Sequence, residues 1–321
     1  MTGLQGSGFG NIVNGPVRGL QAAGFINVNN GSNQGLQGAG FGNVVNGNAR
    51  SLQAAGFGNV ISGNMEGIQV AGFGNVTGGR LEGIQVAGFG NITAGNSSAV
   101  QVAGFGNVSG ERIAGIQVAG FGNIASEVEG IQVAGFLNVA RRVTGIQVGF
   151  INVADTVDGV PIGFLSIVRR GYRKLELTAG DAMNLGIGFK IGVRRFYNIF
   201  SLGTQFTGVD HAFAWGYGIG SEFNMPDHRF LNAEILSHRF IEEGWWDHRR
   251  MNMLHQARVT YARPLNERWQ IFAGPALNFH TVRDTENGFP ESLAPYELFS
   301  FSVRDTPTRV WLGINAGIRF W

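Results

Sequence analysis

"GIQVAGFGNV" occupies residues 67 to 76, returns as "GIQVAGFGNI" at 83 to 92, and returns again at 115 to 124. With the Phe of each unit as origin, Phe9, Phe25, Phe41, Phe57, Phe73, Phe89, Phe105 and Phe121 are 16 residues apart, and Phe136, Phe150 and Phe164 follow at intervals of 15, 14 and 14. A fixed short period marks a stacked architecture, in which each unit covers its neighbour's open face. A Gly precedes every Phe, and an Asn lies two residues after it in the first ten units, with Ser166 in that place in the eleventh. A Gln lies four before it from Gln5 to Gln132. Charges gather in the connector, as at Arg18, Arg50, Glu66, Glu82 and Glu129, so that corner faces water.

Glycine at this density costs about 1 kcal/mol per residue in a helix interior, and no 3.6-residue stripe runs through the units. Two short strands per unit, "GIQVA" and "FGNV", with Gly at the corners, fit better. If each unit is one coil of a β-solenoid, identical residues stack about 4.8 Å apart. Ile68, Val70, Phe73 and Val76 then build a continuous apolar column with their counterparts. The amides of Gln53, Gln69 and Gln85, and of Asn43, Asn59, Asn75, Asn91, Asn107 and Asn123, form ladders, each donating to one coil and accepting from the next. Phe57, Phe73 and Phe89 stack likewise. A polar residue can recur at a packed position only if every copy satisfies its neighbour. Two other geometries stand beside this one: an exposed amide array that binds glycan or ice, and an antiparallel up-and-down sheet in which the Asn would not stack in register.

In the tenth unit "QVGFINVA" (147–154) has the Q-x-G-x-x-N-x-A spacing of curli-type amyloid repeats. The other units carry one inserted residue, the Ala of "QVAGF", so only the stacking principle transfers. Residues 1 to about 168 more closely resemble the short GxQxGxxN surface repeats of uncharacterised Gram-negative envelope proteins. That resemblance implies a cell-envelope setting and names no activity.

The repeat stops after Phe164, and "SIVRRGYRKLEL" brings clustered charge, which predicts domains at 1–168 and 169–321. The second half alternates with period two. In 182–192 Met183, Leu185, Ile187, Phe189 and Ile191 oppose Asn184, Gly186, Gly188 and Lys190; in 212–223 Phe213, Trp215, Tyr217 and Ile219 oppose Ala214, Gly216, Gly218 and Glu222. Eight such stretches occur, at roughly 172–179, 182–192, 196–206, 212–223, 229–242, 251–264, 268–281 and 309–321. With short turns on one side and longer loops on the other, this resembles an outer-membrane β-barrel, down to the aromatic end "GIRFW". It departs from that pattern at the end, where Trp321, Arg319 and Gly317 share a face. It departs again in 229–242 and 251–264, which carry Glu234, His238, His255 and Arg258. The expected fold is therefore all-β, a solenoid of about eleven 14–16-residue coils followed by an eight-stranded barrel or a soluble antiparallel meander. Trp215, Tyr217, Trp245, Trp246 and Trp321 are candidates for a membrane interface, where indole is favoured. In a barrel, the strand count puts both ends of this half on the short-turn side and the repeats in the periplasm.

Composition narrows the function. Charged residues are 14% of the 321, the formal charge is +2, cysteine is absent, and 44% apolar content is enough to fill a core. No basic, aromatic-interleaved patch signals nucleic acid, and without Cys neither thiol chemistry nor Cys-ligated zinc is available. No run of 18 apolar residues predicts a transmembrane helix. Met1 stands directly before a repeat, which suggests a removed secretion signal, an excised piece or a cytoplasmic protein. "MPDHRF" (225–230) and "WWDHRR" (245–250) pair Asp with His, but no H-x-x-x-H or H-E-x-x-H spacing occurs. No phosphate loop, nucleophile elbow or carboxylate pair stands out. The expectation is a non-enzymatic, cofactor-free envelope protein at the outer membrane or cell surface, with lipid as a partner. Loop 282–308 would be its contact surface for protein or glycan, since loops this long are uncommon unless functional or disordered. The alternative is a soluble or secreted glycan-binding module.

Overall fold

The computed structural model describes residues 1–207, 210–241, 251–283, 293, 295–303 and 306–320. Among them every regular element is a β-strand. The chain divides into Met1–Arg170 and Gly171–Trp321.

The first unit is a parallel β-solenoid of about ten turns. A typical coil has a seven-residue strand, Met65–Ala71, a corner at Gly72 and Phe73, and a four-residue strand, Gly74–Thr77. Each strand pairs in register with its own copy one coil away, Gln69 with Gln85 and Asn75 with Asn91. The antiparallel alternative is thereby excluded. From Gly106 onward the connector turn is absorbed, and strands such as Gly106–Ala119 run on through it with a register shift between Ser109 and Arg112. This is where the units shorten to 15 and then 14 residues.

The Gly before each Phe has a steric cause. At the corner the coils approach so closely that a Cβ on Gly72 would lie 2.1 Å from the carbonyl oxygen of Gly56. Gly72→Ala is expected to destabilise the solenoid by about 1–3 kcal/mol through overpacking. Gly38→Ala, where a Cβ meets nothing within 4 Å, should stay within about 0.5 kcal/mol of the parent. Urea titrations followed by far-UV circular dichroism check the pair; equal midpoints for the two variants would discard the close-approach account.

The structure adds which face of the coil is turned inward. Ile68, Val70, Phe73 and Val76 do stack, but on the outside, at 36, 42, 47 and 37% exposure. Strand alternation turns Met65, Gln69, Ala71, Asn75 and Thr77 inward instead. The solenoid core is thus an amide and hydroxyl core with small apolar clusters beside it, such as Val45, Ala49, Ile61, Met65, Leu81 and Ala99.

The second unit is a closed eight-stranded antiparallel barrel. Its strands are Tyr172–Gly180, Leu185–Val193, Phe196–Thr207, Asp210–Met225, Arg229–Ile241, Met251–Pro264, Trp269–Arg283 and Thr306–Phe320. Each pairs with the next, and the first pairs with the last through Leu175↔Phe320 and Gly180↔Asn315, which closes the sheet. Closure selects the barrel over the open meander and leaves no unpaired edge at the seam. Connections are two, three and four residues on the rim where the chain enters and leaves, and four, two, nine and twenty-two on the other. Loop 282–308 is not wholly a loop. Phe299–Val303 is a ninth strand paired to the terminal one, from Phe299↔Val310 to Val303↔Thr306. It lies along the part of the terminal strand that the first strand, ending at Gly180, does not reach.

Candidate functional site

The side chains singled out in the repeats are internal. Asn75 Nδ2 donates to Asn91 Oδ1 at 2.9 Å and to the Val86 carbonyl at 2.8 Å. The same pair of bonds recurs at Asn43, Asn59, Asn91, Asn107 and Asn123. The Gln row forms a second ladder, Gln53 to Gln37, Gln69 to Gln53 and Gln85 to Gln69, at 2.6, 3.1 and 2.7 Å. The two ladders run in opposite senses: Asn donates toward the C-terminal coil, Gln toward the N-terminal one. Their side-chain amide dipoles therefore oppose each other along the axis. Thr77 braces successive rungs of the Gln ladder, donating to Gln69 Oε1 and accepting from Gln85 Nε2, both at 3.1 Å. Gln147, three residues before its Phe, still joins the ladder by donating to Gln132. The row ends at Pro161, which stands opposite Gln147 and has no side-chain donor to offer. The ladder amides are 0% exposed, so the array touches no ligand, and the exposed-array reading of these rows is withdrawn.

Outside the coil, the rings of Phe57, Phe73 and Phe89 stack at 4.8–4.9 Å with planes within 2°. Ion pairs such as Arg50–Glu66, at 3.2 Å, occupy the connector corner and contribute little at that exposure.

The barrel lumen holds what the sequence did not advertise. Glu176, Lys190, Glu234, Arg258 and Arg319 converge at 0–5% exposure. Lys190 Nζ sits 2.5 Å from both Glu176 Oε2 and Glu234 Oε1. Arg258 reaches Glu176 at 2.7 Å and Glu234 at 2.5 Å, and Arg319 reaches Glu176 at 3.0 Å. Tyr197 donates to Glu234 at 2.6 Å, Asn232 accepts from Arg319 at 2.6 Å, and the Arg319 guanidinium lies 4.3 Å from the Phe272 ring centre. Tyr172 donates to Glu222, whose ion pair is with Arg194, at 3.6 Å, and not with these three cations. Every ion therefore faces an opposite charge, the arrangement a low-dielectric interior requires. Eight strands enclose a lumen that side chains can fill, and this one is closed to solvent at the charged layer.

Nearer the long-loop rim the lumen turns apolar: Met183, Ala212, Ala214, Phe240, Leu254 and Trp311 pack with Leu293. His238 meets Ser201 at 2.8 Å and His280 meets Asn252 at 2.7 Å, so His238, a departure from the barrel pattern in the sequence, is a lumenal partner, as is His280. His228 lies in the 226–228 turn, beside Asp227, with φ of 58°; His255 is exposed; His248 lies outside the described residues. Among the described residues no three His, Asp or Glu side chains are grouped to hold a metal.

The terminal strand now makes sense. Arg319 points into the lumen at 0% exposure, whereas Leu312 and Ile314 point out at 49 and 62%. Three of the four departures in 229–242 and 251–264 fit for the same reason, since Glu234, His238 and Arg258 point inward, whereas His255 is exposed. The outer surface carries Ile187, Leu202, Ile235, Val259 and Leu277, all 36% exposed or more. Aromatic residues flank this band toward both rims: Phe206, Phe213 and Trp215 near the long loops, Phe223, Tyr261 and Trp269 near the short turns. Trp215 is 51% exposed; Tyr217 is half-buried, and its hydroxyl accepts from Asn198 at 2.8 Å. Trp245, Trp246 and Trp321 lie outside the described residues. Tyr261 and Trp269 belong to the same rows and were missed, although period-two alternation would have placed both on the outer face. No protein-family model, no curated protein and no solved structure matches the chain.

Proposed function

We propose that this is a non-enzymatic cell-envelope protein whose barrel anchors the repeat domain in the outer membrane. One observation carries the reading: the barrel's outward residues form an apolar band between two aromatic rows, while five charges pair inside and exposed ones such as Arg239 and Arg263 stay near the rims. That is the inversion of polarity a lipid solvent demands. A soluble barrel of this size would expose its charges and bury its leucines. Strands of 9 to 16 residues meet the 9–11 residues that a tilted crossing needs. The sealed lumen argues for an anchor and against a pore. In outer-membrane barrels short turns face the periplasm, so the chain, which enters at Tyr172 on the short-turn rim, would carry the repeats on that side. There the solenoid would serve as a rigid spacer or interaction surface, a role its repetitive, internally satisfied core suits.

The expected result is recovery in the outer-membrane fraction, with a folded band that shifts mobility on boiling. An epitope tag at the connector near Gly79 should stay inaccessible on intact cells and become accessible after permeabilisation. Recovery in the soluble fraction overturns the anchor, and labelling on intact cells overturns the sidedness. The alternative, a soluble glycan-binding module acting through loop 282–308, predicts a soluble protein that is retained on a glycan array.

A further inference from the structure

Along the outer face of the solenoid runs a trough of about 540 Å³. One wall is the Phe row and the other is the Val/Ile row three residues later, as at Val76 and Ile92. Its floor is the residue directly after each Phe. That residue is Gly in six successive coils, from Gly42 to Gly122, and a large apolar residue at both ends, Ile26 and Leu137. Backbone conformation does not require these glycines, for none of the six has a left-handed φ, and Ile26, Leu137, Ile151 and Leu165 occupy the same place in other coils. Their consequence is space. Seven coil steps of about 4.9 Å set the two stops about 34 Å apart.

The chemistry of the trough restricts its occupant. The Asn side chains beneath it are 0% exposed and bonded to one another. The flanking backbone is engaged between coils, as in Gly90 N–H to the Phe73 carbonyl at 3.1 Å. The walls thus offer neither charge nor hydrogen bond. A peptide laid there would leave its own N–H and C=O groups without protein partners. The strip is about 34 Å long and three residues wide at about 3.3 Å each, or on the order of 340 Å². That is less than half of the roughly 800 Å² per partner that a stable dimer buries. A hydrocarbon chain has no polar group to strand, and one that crosses a leaflet of about 15 Å fits between the stops. We infer that the trough binds one extended acyl chain of a membrane lipid, headgroup in water, with Ile26 and Leu137 setting the longest chain accepted. This concerns the repeat unit alone and holds whether or not the barrel is the anchor.

The test is a chain-length series of lysophosphatidylcholines, octanoyl to stearoyl, bound to the full chain in amphipol and read by native mass spectrometry and calorimetry. Affinity should rise about twofold per methylene, half the fully buried value because one side stays open to water. Gly90→Leu should dam the trough, leaving about 20 Å as its longer part. The gain should then end at shorter chains, with stearoyl binding at least tenfold weaker. Gly74→Leu, which leaves as its longer part the four steps from Gly74 to Leu137, again about 20 Å, should weaken stearoyl binding to the same extent, which keeps the test usable if Gly90→Leu fails to fold. Affinity independent of chain length, or stearoyl binding unchanged in both variants, overturns the proposal. So does sedimentation showing that the parent dimerises and Gly90→Leu does not, which would give the trough to a second copy.

Discussion

Glu176→Ala is expected to be the most damaging single substitution in the barrel, at about 3–5 kcal/mol, the cost of breaking a buried ion pair from one side. Glu176 meets Lys190, Arg258 and Arg319 within 3.0 Å. Without it, three buried cations share Glu234 and hydrogen-bonding neutrals. Its position adds a second effect, because Glu176 stands directly opposite Arg319 at the seam where first and last strands close the barrel. The measurement is the urea midpoint of the folded, unheated gel band. The Glu176→Ala/Arg319→Ala double variant should lose less than the sum of the singles, by about 0.5–3 kcal/mol, since removing both leaves less uncompensated charge. A Glu176→Ala midpoint equal to the parent's would mean that the network is not what holds the barrel shut.

Asn75→Leu is expected to cost the solenoid 3 kcal/mol or more. Asn75 serves three partners: it accepts from Asn59 and donates to Asn91 Oδ1 and to the Val86 carbonyl. Leucine is similar in size but serves none, and each buried group left unsatisfied costs about 1–3 kcal/mol. Asn11→Leu, at the first coil, should cost clearly less. Asn11 has only its two donor bonds, one partner fewer than Asn75. Far-UV circular dichroism in urea reads both, because the six tryptophans all lie in the second unit. Equal losses at Asn11 and Asn75 would refute a ladder whose strength depends on continuity. If Asn75→Leu is tolerated, cohesion comes from the backbone and the Phe stack.

How the coil is organised was open to reading because it is local. A 16-residue period with Gly, Phe, Gln and Asn at constant offsets favours a parallel, in-register stack over an antiparallel sheet, and the structure pairs those residues with their own copies. The barrel strands were legible for a similar reason, since period-two alternation marks a strand whatever it packs against. The charged lumen was not. Lys190 and Glu234 are 44 residues apart and Arg258 and Glu176 are 82 apart, and no window of sequence brings them together. Arg319 looked like a flaw in a terminal strand because its partners lay at the other end of the domain.

By itself, then, the sequence determined the period, the two units, the strands and the ladders, all of which follow from chemistry repeated along the chain. Only the tertiary structure decided which face is inside. Alternation separates two faces without saying which is turned inward, and in both units the polar side went in. A polar face can be buried when its donors, acceptors and charges saturate one another, and that depends on coils and strands meeting in space, which neighbours in sequence do not reveal.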